Sequence, residues 1–145
     1  MKETVVLCIG SDKVSGDCLG PTVGTLLIEK HNVNAFVYGR IGRSVNSLNI
    51  SDYVNFLNDN HKDALIIAVD ACLGKSGDVG KVKICDRGVS AGLAVGRNNK
   101  RVGDVAVLGI VGEAGSDNMS ALLSVPYGSV YALAESVARS VAALI

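Results

Sequence analysis

The sequence predicts an open α/β sheet with helices on both faces, and three observations carry that prediction. Short apolar runs of strand length alternate along the chain with stretches whose apolar residues recur at helical spacing. Two of these runs break into glycine-containing turns, Ile9-Gly-Ser-Asp-Lys-Val-Ser-Gly-Asp17-Cys-Leu-Gly-Pro21 and Ala64-Leu-Ile-Ile-Ala-Val-Asp70-Ala-Cys-Leu-Gly74. Finally, 145 residues of which 48% are hydrophobic and 19% charged suit one domain, residues 1–145, around one core.

The elements follow in order. Thr4 to Ile9 reads as a buried strand, and Pro21 to Lys30 as a helix with Pro21 in its first turn. Ala35 to Tyr38 is a second strand. Ser47 or Ser51 is expected to cap a helix ending near Asn58, because Ile50, Tyr53, Val54 and Leu57 share one helical face. Ala64 to Val69 is a third strand. Val79 to Cys85 alternates apolar and polar residues, which suits a sheet edge or an antiparallel strand. Asp104 to Val111 is a fifth strand, followed by helices over Asn118 to Ser124 and Gly128 to Leu144. In the last helix Val130, Leu133, Val137 and Val141 form a seam read as core packing, with a dimer face as the alternative. Together these predict a three-layer α/β/α sandwich on a mostly parallel five-stranded sheet, order 2-1-3-5-4, with strand 4 antiparallel. Its switch point falls between strands one and three, where sites in such sheets form.

Composition narrows the partners. A formal net charge of zero gives no bulk attraction to nucleic acid or to an anionic membrane. The apolar runs reach only about six or seven residues, too short to span a bilayer, and no basic-then-apolar leader precedes them, so a cytoplasmic protein is expected. Cys8, Cys18, Cys72 and Cys85 form no Cys-x-x-Cys pair, so they are expected to be free thiols.

The loops after strands one and three carry Asp17 and Asp70. Two carboxylates held close together cannot both ionise cheaply, so one keeps a proton while the other serves as base. A water deprotonated by one could attack a peptide carbonyl while the other supports the oxyanion and protonates the leaving amine. Gly16, Gly20 and Gly74 would let backbone N–H groups approach the substrate, beside the positive end of the helix at Pro21. The competing reading makes Asp17 a helix cap and Asp70 the acceptor of an Asx-turn. Neither Gly-x-Gly-x-x-Gly nor Gly-Lys-Ser/Thr occurs in Gly10 to Gly20, which argues against a nucleotide loop.

These segments, with Val102-Gly-Asp-Val-Ala-Val-Leu-Gly-Ile-Val111, resemble the YyaC-type sporulation proteins over almost the whole chain. That group is similar in turn to the spore germination protease, an atypical aspartic-type endopeptidase, and more distantly to the hydrogenase maturation endopeptidases, whose phosphorylase/hydrolase-like fold is α/β/α. The resemblance implies a sporulation-associated endopeptidase acting on a protein or peptide substrate, in the developing spore or its mother cell. It makes Asp17 and Asp70 the catalytic acids. Gly92 to Arg101 is similar to a degenerate form of the germination protease's glycine-rich basic loop. Hydrogenase maturation enzymes add a histidine between their fourth and fifth strands to bind nickel. Here the two histidines are His31 and His61, both expected at the opposite end of the sheet, so no metal or other cofactor is expected.

Other residues invite readings of their own. Glu113 could reach the crevice as a third acid or lie solvated. Arg40 and Arg43 could clamp an anion or form a surface turn. Arg97 and Arg101 sit in Arg87 to Gly103, a stretch with four glycines that could recruit an acidic polypeptide or be a plain loop. Cys18 and Cys72 adjoin the acids and read as small packing residues, the alternatives being a thiol nucleophile, a disulfide or a metal site. A peptide-binding member without activity and a metal-assisted hydrolase are the competing functions, and homo-oligomerisation stays open.

Overall fold

The structure, a computed structural model, describes residues 2–90 and 101–145. Among the described residues seven strands are assigned, β1 (Thr4–Cys8), β2 (Phe36–Tyr38), β3 (Leu65–Gly74), β4 (Val82–Cys85), β5 (Val89–Ser90), β6 (Arg101–Val102) and β7 (Val105–Glu113). The central sheet runs β2-β1-β3-β7-β4. Its first four strands are parallel, and β4 pairs antiparallel with β7 at the edge. Counted over these five strands the order is the expected 2-1-3-5-4. The added feature is a short antiparallel ribbon of β5 and β6.

Alternation along β3 explains the layers. Ile67, Val69 and Ala71 pack on one face with Leu19, Val23, Leu133 and Val137 of α1 (Leu19–Leu26) and α4 (Tyr127–Leu144). Ala68 and Cys72 pack on the other with Ile50 and Leu57 of α2 (Ile50–Asn60). Being covered on both sides, β3 is apolar nearly throughout, as a central parallel strand must be. The α4 seam of Val130, Leu133, Val137 and Val141 is buried, so it belongs to the core. Among the described residues no helix is long and apolar enough to cross a membrane.

Some boundaries differ from expectation. The first helix begins with a 3₁₀ turn at Gly16–Cys18 and ends in a wider turn at Leu27–His31, closed by left-handed Asn32. Neither Ser47 nor Ser51 caps α2. Asn49 occupies that position, and its side chain turns back to accept from the Asn46 N–H at 2.8 Å. The third strand does not stop at Val69 but runs to Gly74, paired with β7 from Ile67 onward. Gly20 allows α1 to lie against β1, because a Cβ there would fall 2.0 Å from the Ile9 carbonyl oxygen.

Candidate active site

Asp17 stands where β1 gives way to α1. The loop before it is fixed at both ends. The Ile9 N–H donates to the Val69 carbonyl at 2.7 Å and the Gly10 N–H to the Val45 carbonyl at 2.8 Å, so the end of β1 is held between two neighbours. The Ser11 N–H then donates to the Asp17 carbonyl at 3.2 Å. Gly10 has to be glycine here, since a Cβ would meet that same Asp17 oxygen at 2.1 Å.

Side chains complete the clamp. Ser15 Oγ reaches the carbonyl oxygens of Val125 at 2.7 Å, Leu122 at 3.1 Å and Leu123 at 3.3 Å, at the end of α3 (Asn118–Leu123). On the other side of Asp17, Thr22 Oγ1 donates to the Cys18 carbonyl at 2.8 Å and lies 3.4 Å from the Tyr127 hydroxyl. Asp12 Oδ2 accepts from the Gly42 N–H at 3.1 Å. Nothing local in the sequence marks Ser15 or Tyr127, because their partners lie about a hundred residues away, and Thr22 joins the nearby Cys18 carbonyl to that distant Tyr127.

Half-buried in this setting, the Asp17 carboxyl is pushed up to about 6. Burial penalises its charged form, and hydrogen bonding from the Ser11 backbone only partly offsets that. Such a carboxyl changes protonation close to neutral pH.

Asp70 corrects the sequence reading. It lies not in a turn after the third strand but within β3, opposite Leu108 of β7, with 2% of its surface exposed. Strand alternation puts it on the face of Ala68 and Cys72. Its Oδ1 accepts from the Ala71 N–H at 2.8 Å.

The two acidic segments are neighbours. Cys8 pairs with Val69, so Asp70 follows directly on the register where β1 ends, and the turn carrying Asp17 packs against β3. Both acids therefore stand at the switch-point end of the parallel strands, the place the topology marks for a site.

The remaining candidates separate. Gly16 and Gly20 are buried packing positions, Gly16 against the Leu122 backbone, and not open backbone for a substrate. Gly74 is half-buried beside Ile110, and its carbonyl accepts from the Ala114 N–H. Glu113 is exposed opposite Gly74, at the same end of the sheet as the acids. The Arg101 guanidinium donates to the Gly88 carbonyl at 2.8 Å within the ribbon, while Arg97 lies outside the described residues. Arg40 and Arg43 bracket an exposed turn through paired backbone bonds.

Cys18 and Cys72 have different surroundings. Cys18 Sγ lies 3.6 Å from Thr22 Oγ1, and Cys72 packs in the α2-side core. Burial raises both thiols, Cys72 to about 11, with the nearby Asp70 charge adding to it, so neither is poised as a thiolate. His61, just before β3, bonds Glu3 through Nδ1 at 3.0 Å and Tyr38 through Nε2 at 2.8 Å, at the opposite end of the sheet from the acids. Among the described residues no group of three or more His, Cys, Asp or Glu side chains is placed to hold a metal ion.

Comparisons with known proteins place the chain in a family and relate its fold to a solved structure. A family model described as a protein of unknown function, DUF1256, matches residues 1–140. The uncharacterized protein YyaC of Bacillus subtilis (strain 168) is 40% identical over 114 residues, which are 79% of this chain and 56% of that protein. The chain thus spans little more than half the length of this curated relative. The NiFe hydrogenase maturation protease HybD from Thermococcus kodakarensis is similar in structure, with a TM-score of 0.56, 14% identity and 98% of each chain covered. At that identity the likeness is one of fold alone.

Proposed function

We propose, given that this chain belongs to the DUF1256 family, that it is an endopeptidase in which Asp17 and Asp70 act as an acid/base pair on a protein or peptide substrate. The observation that carries this reading is a carboxyl raised to about 6, held in a loop that packs against a strand bearing a second, buried carboxyl. Pairs of acids set in unlike surroundings divide acid and base roles between them.

Asp17, protonated up to about pH 6, is the acid. Asp70 is the base. It accepts a proton from water as the water oxygen bonds to the peptide carbonyl carbon, and the carbonyl π electrons move onto oxygen. The Asp17 hydroxyl hydrogen-bonds that developing oxyanion and then gives its proton to the leaving amine as the C–N bond breaks. The helix beginning at Gly16 adds a favourable positive end beside the oxyanion. The proposed setting is the cytoplasm of a sporulating cell and the proposed substrate an unstructured, acidic polypeptide. A peptide-binding role without turnover has one observation on its side, the depth of Asp70.

The test compares cleavage of unstructured acidic polypeptides by the wild type, Asp17→Asn and Asp70→Asn after metal is stripped. Each variant is expected to lose on the order of a hundredfold or more in rate. Equal residual activity in all three would reject the pair. Activity lost to chelator and restored by one ion would point to a metal-assisted hydrolase.

A further inference from the structure

Four large apolar side chains stand in solvent at a spacing of four residues, Met119, Leu123, Tyr127 and Tyr131, with exposures of 46%, 57%, 48% and 40%. Scattered apolar residues on a surface need no explanation, but a strip does. This one crosses the junction of α3 and α4, and the Tyr127 and Tyr131 rings lie 6.3 Å apart by their centroids. Asp117 is the sole charged residue between Glu113 and Glu135. The segment that carries the strip therefore brings a single charge with it, that of Asp117.

Its location ties it to the acids. Ser15, two residues before Asp17, bonds the backbone of Leu122, Leu123 and Val125. Cys18, the residue after Asp17, is linked through Thr22 to the Tyr127 hydroxyl. The segment from Leu122 to Tyr127 thus runs beside Asp17 and is fixed to the chain on both sides of it. A polypeptide whose scissile bond meets the Asp17 carboxyl has this strip next to it.

We propose that Leu123 and Tyr127, extended by Met119 and Tyr131, form the subsite that selects apolar, uncharged residues flanking the bond to be cut. This rests on the peptidase reading and gives it a substrate class. An acidic polypeptide was one reading of the Arg87 to Gly103 stretch; the four side chains of the strip supply no cation for one, so what they recognise is apolar surface that can be buried against them.

The test uses two unstructured probe peptides of equal length and charge, one with Leu and Phe at its central positions and the other with Ser there. Binding is measured by fluorescence anisotropy to Asp17→Asn, which separates affinity from turnover. The apolar probe is expected to bind about tenfold or more tightly than the polar one, and Leu123→Ser with Tyr131→Ser to remove that advantage. Both side chains are exposed, so the melting temperature should hold, and Leu123→Ala with Tyr131→Ala serves if it does not. Equal affinity for the two probes, or an advantage that survives both pairs of substitutions, overturns the proposal. So does a dimer in sedimentation that the substitutions dissolve, since a second copy would then cover the strip. Selective binding by Asp17→Asn with no cleavage of the apolar probe by wild type would leave the subsite standing while the peptidase reading fails.

Discussion

Ser15 Oγ lies 2.7 Å from the carbonyl oxygen of Val125, a residue 110 positions further along the chain. Through this contact the loop bearing Asp17 is fastened to the end of α3, where carbonyls have no helical partner of their own. Ser15→Ala removes the hydroxyl and leaves part-buried carbonyls without it. A loss of about 1–2 kcal/mol is expected in urea denaturation. Under the peptidase reading kcat should fall further than KM rises, since Asp17 is misplaced while the binding surface remains. Ser15→Thr, which keeps the hydroxyl, should recover most of the rate.

Asp17 also gives stability a dependence on pH whose sign is fixed. Its folded value of about 6 lies above the ordinary 3.8, so between these values the folded protein binds more protons than the unfolded chain. Stability contributed by this group therefore falls as pH rises from about 4 to 6 and levels off beyond, by at most about 3 kcal/mol, less for solvent screening of a half-buried group. Asp17→Asn should melt at a higher temperature than wild type at pH 7.5 and at nearly the same temperature at pH 4. Parallel melting curves at both pH values would show that the carboxyl is not raised.

Gly10→Ala places a methyl group where the Asp17 carbonyl oxygen now sits, 2.1 Å from the new Cβ. Backbone on both sides cannot give way as a flexible side chain would. Destabilisation of about 2–3 kcal/mol or more is expected by denaturant titration, because β1 is also held at this point by Val45 and Val69.

The strands and their order were readable because apolar runs of strand length alternate with helical periods, and a parallel sheet follows from that rhythm. What periodicity missed is instructive at Asp70. A carboxylate ends the apolar run Ala64 to Val69 on paper, yet β7 pairs with β3 onward to Gly74, and pairing partners are not visible in one strand's sequence. The same holds for Ser15 and Tyr127, whose contacts with residues near position 125 and with Thr22 depend on tertiary assembly. The start of α2 shifted for a local reason, since the Asn49 side chain bonds Asn46 instead of leaving Ser47 or Ser51 to cap. Gly16 and Gly20 looked like open backbone only because the surfaces they pack against lie elsewhere in the chain.

At the far end of the sheet His61 joins Glu3 at the start of β1 to Tyr38 at the end of β2, with Phe36 and Phe56 against its ring. His61→Phe keeps the ring packing and removes both hydrogen bonds, leaving the Tyr38 hydroxyl without this partner. It should cost about 1–3 kcal/mol in thermal or urea unfolding. Because the acids stand at the other end, any cleavage rate measured well below the melting temperature should stay within about twofold of wild type. A large loss of rate in a folded His61→Phe protein would place the histidine in the chemistry after all.

The proposed pairing of the acids makes the sharpest demand. If Asp17 must hold a proton while Asp70 has lost one, the rate is highest in a window between two apparent values that belong to the pair. The upper limb is set by Asp17, so cleavage should decline as pH passes about 6. Asp17→Asn cannot donate a proton to the leaving amine, and should lose that upper limb along with most of the rate. Asp70→Asn removes the base and should abolish the lower limb instead, while its amide oxygen can still accept from the Ala71 N–H. Measuring kcat/KM from pH 4 to 9 for the three proteins decides the matter. A wild-type profile that rises steadily through pH 7 would mean that Asp17 works ionised, and the roles assigned to the two acids would have to be exchanged.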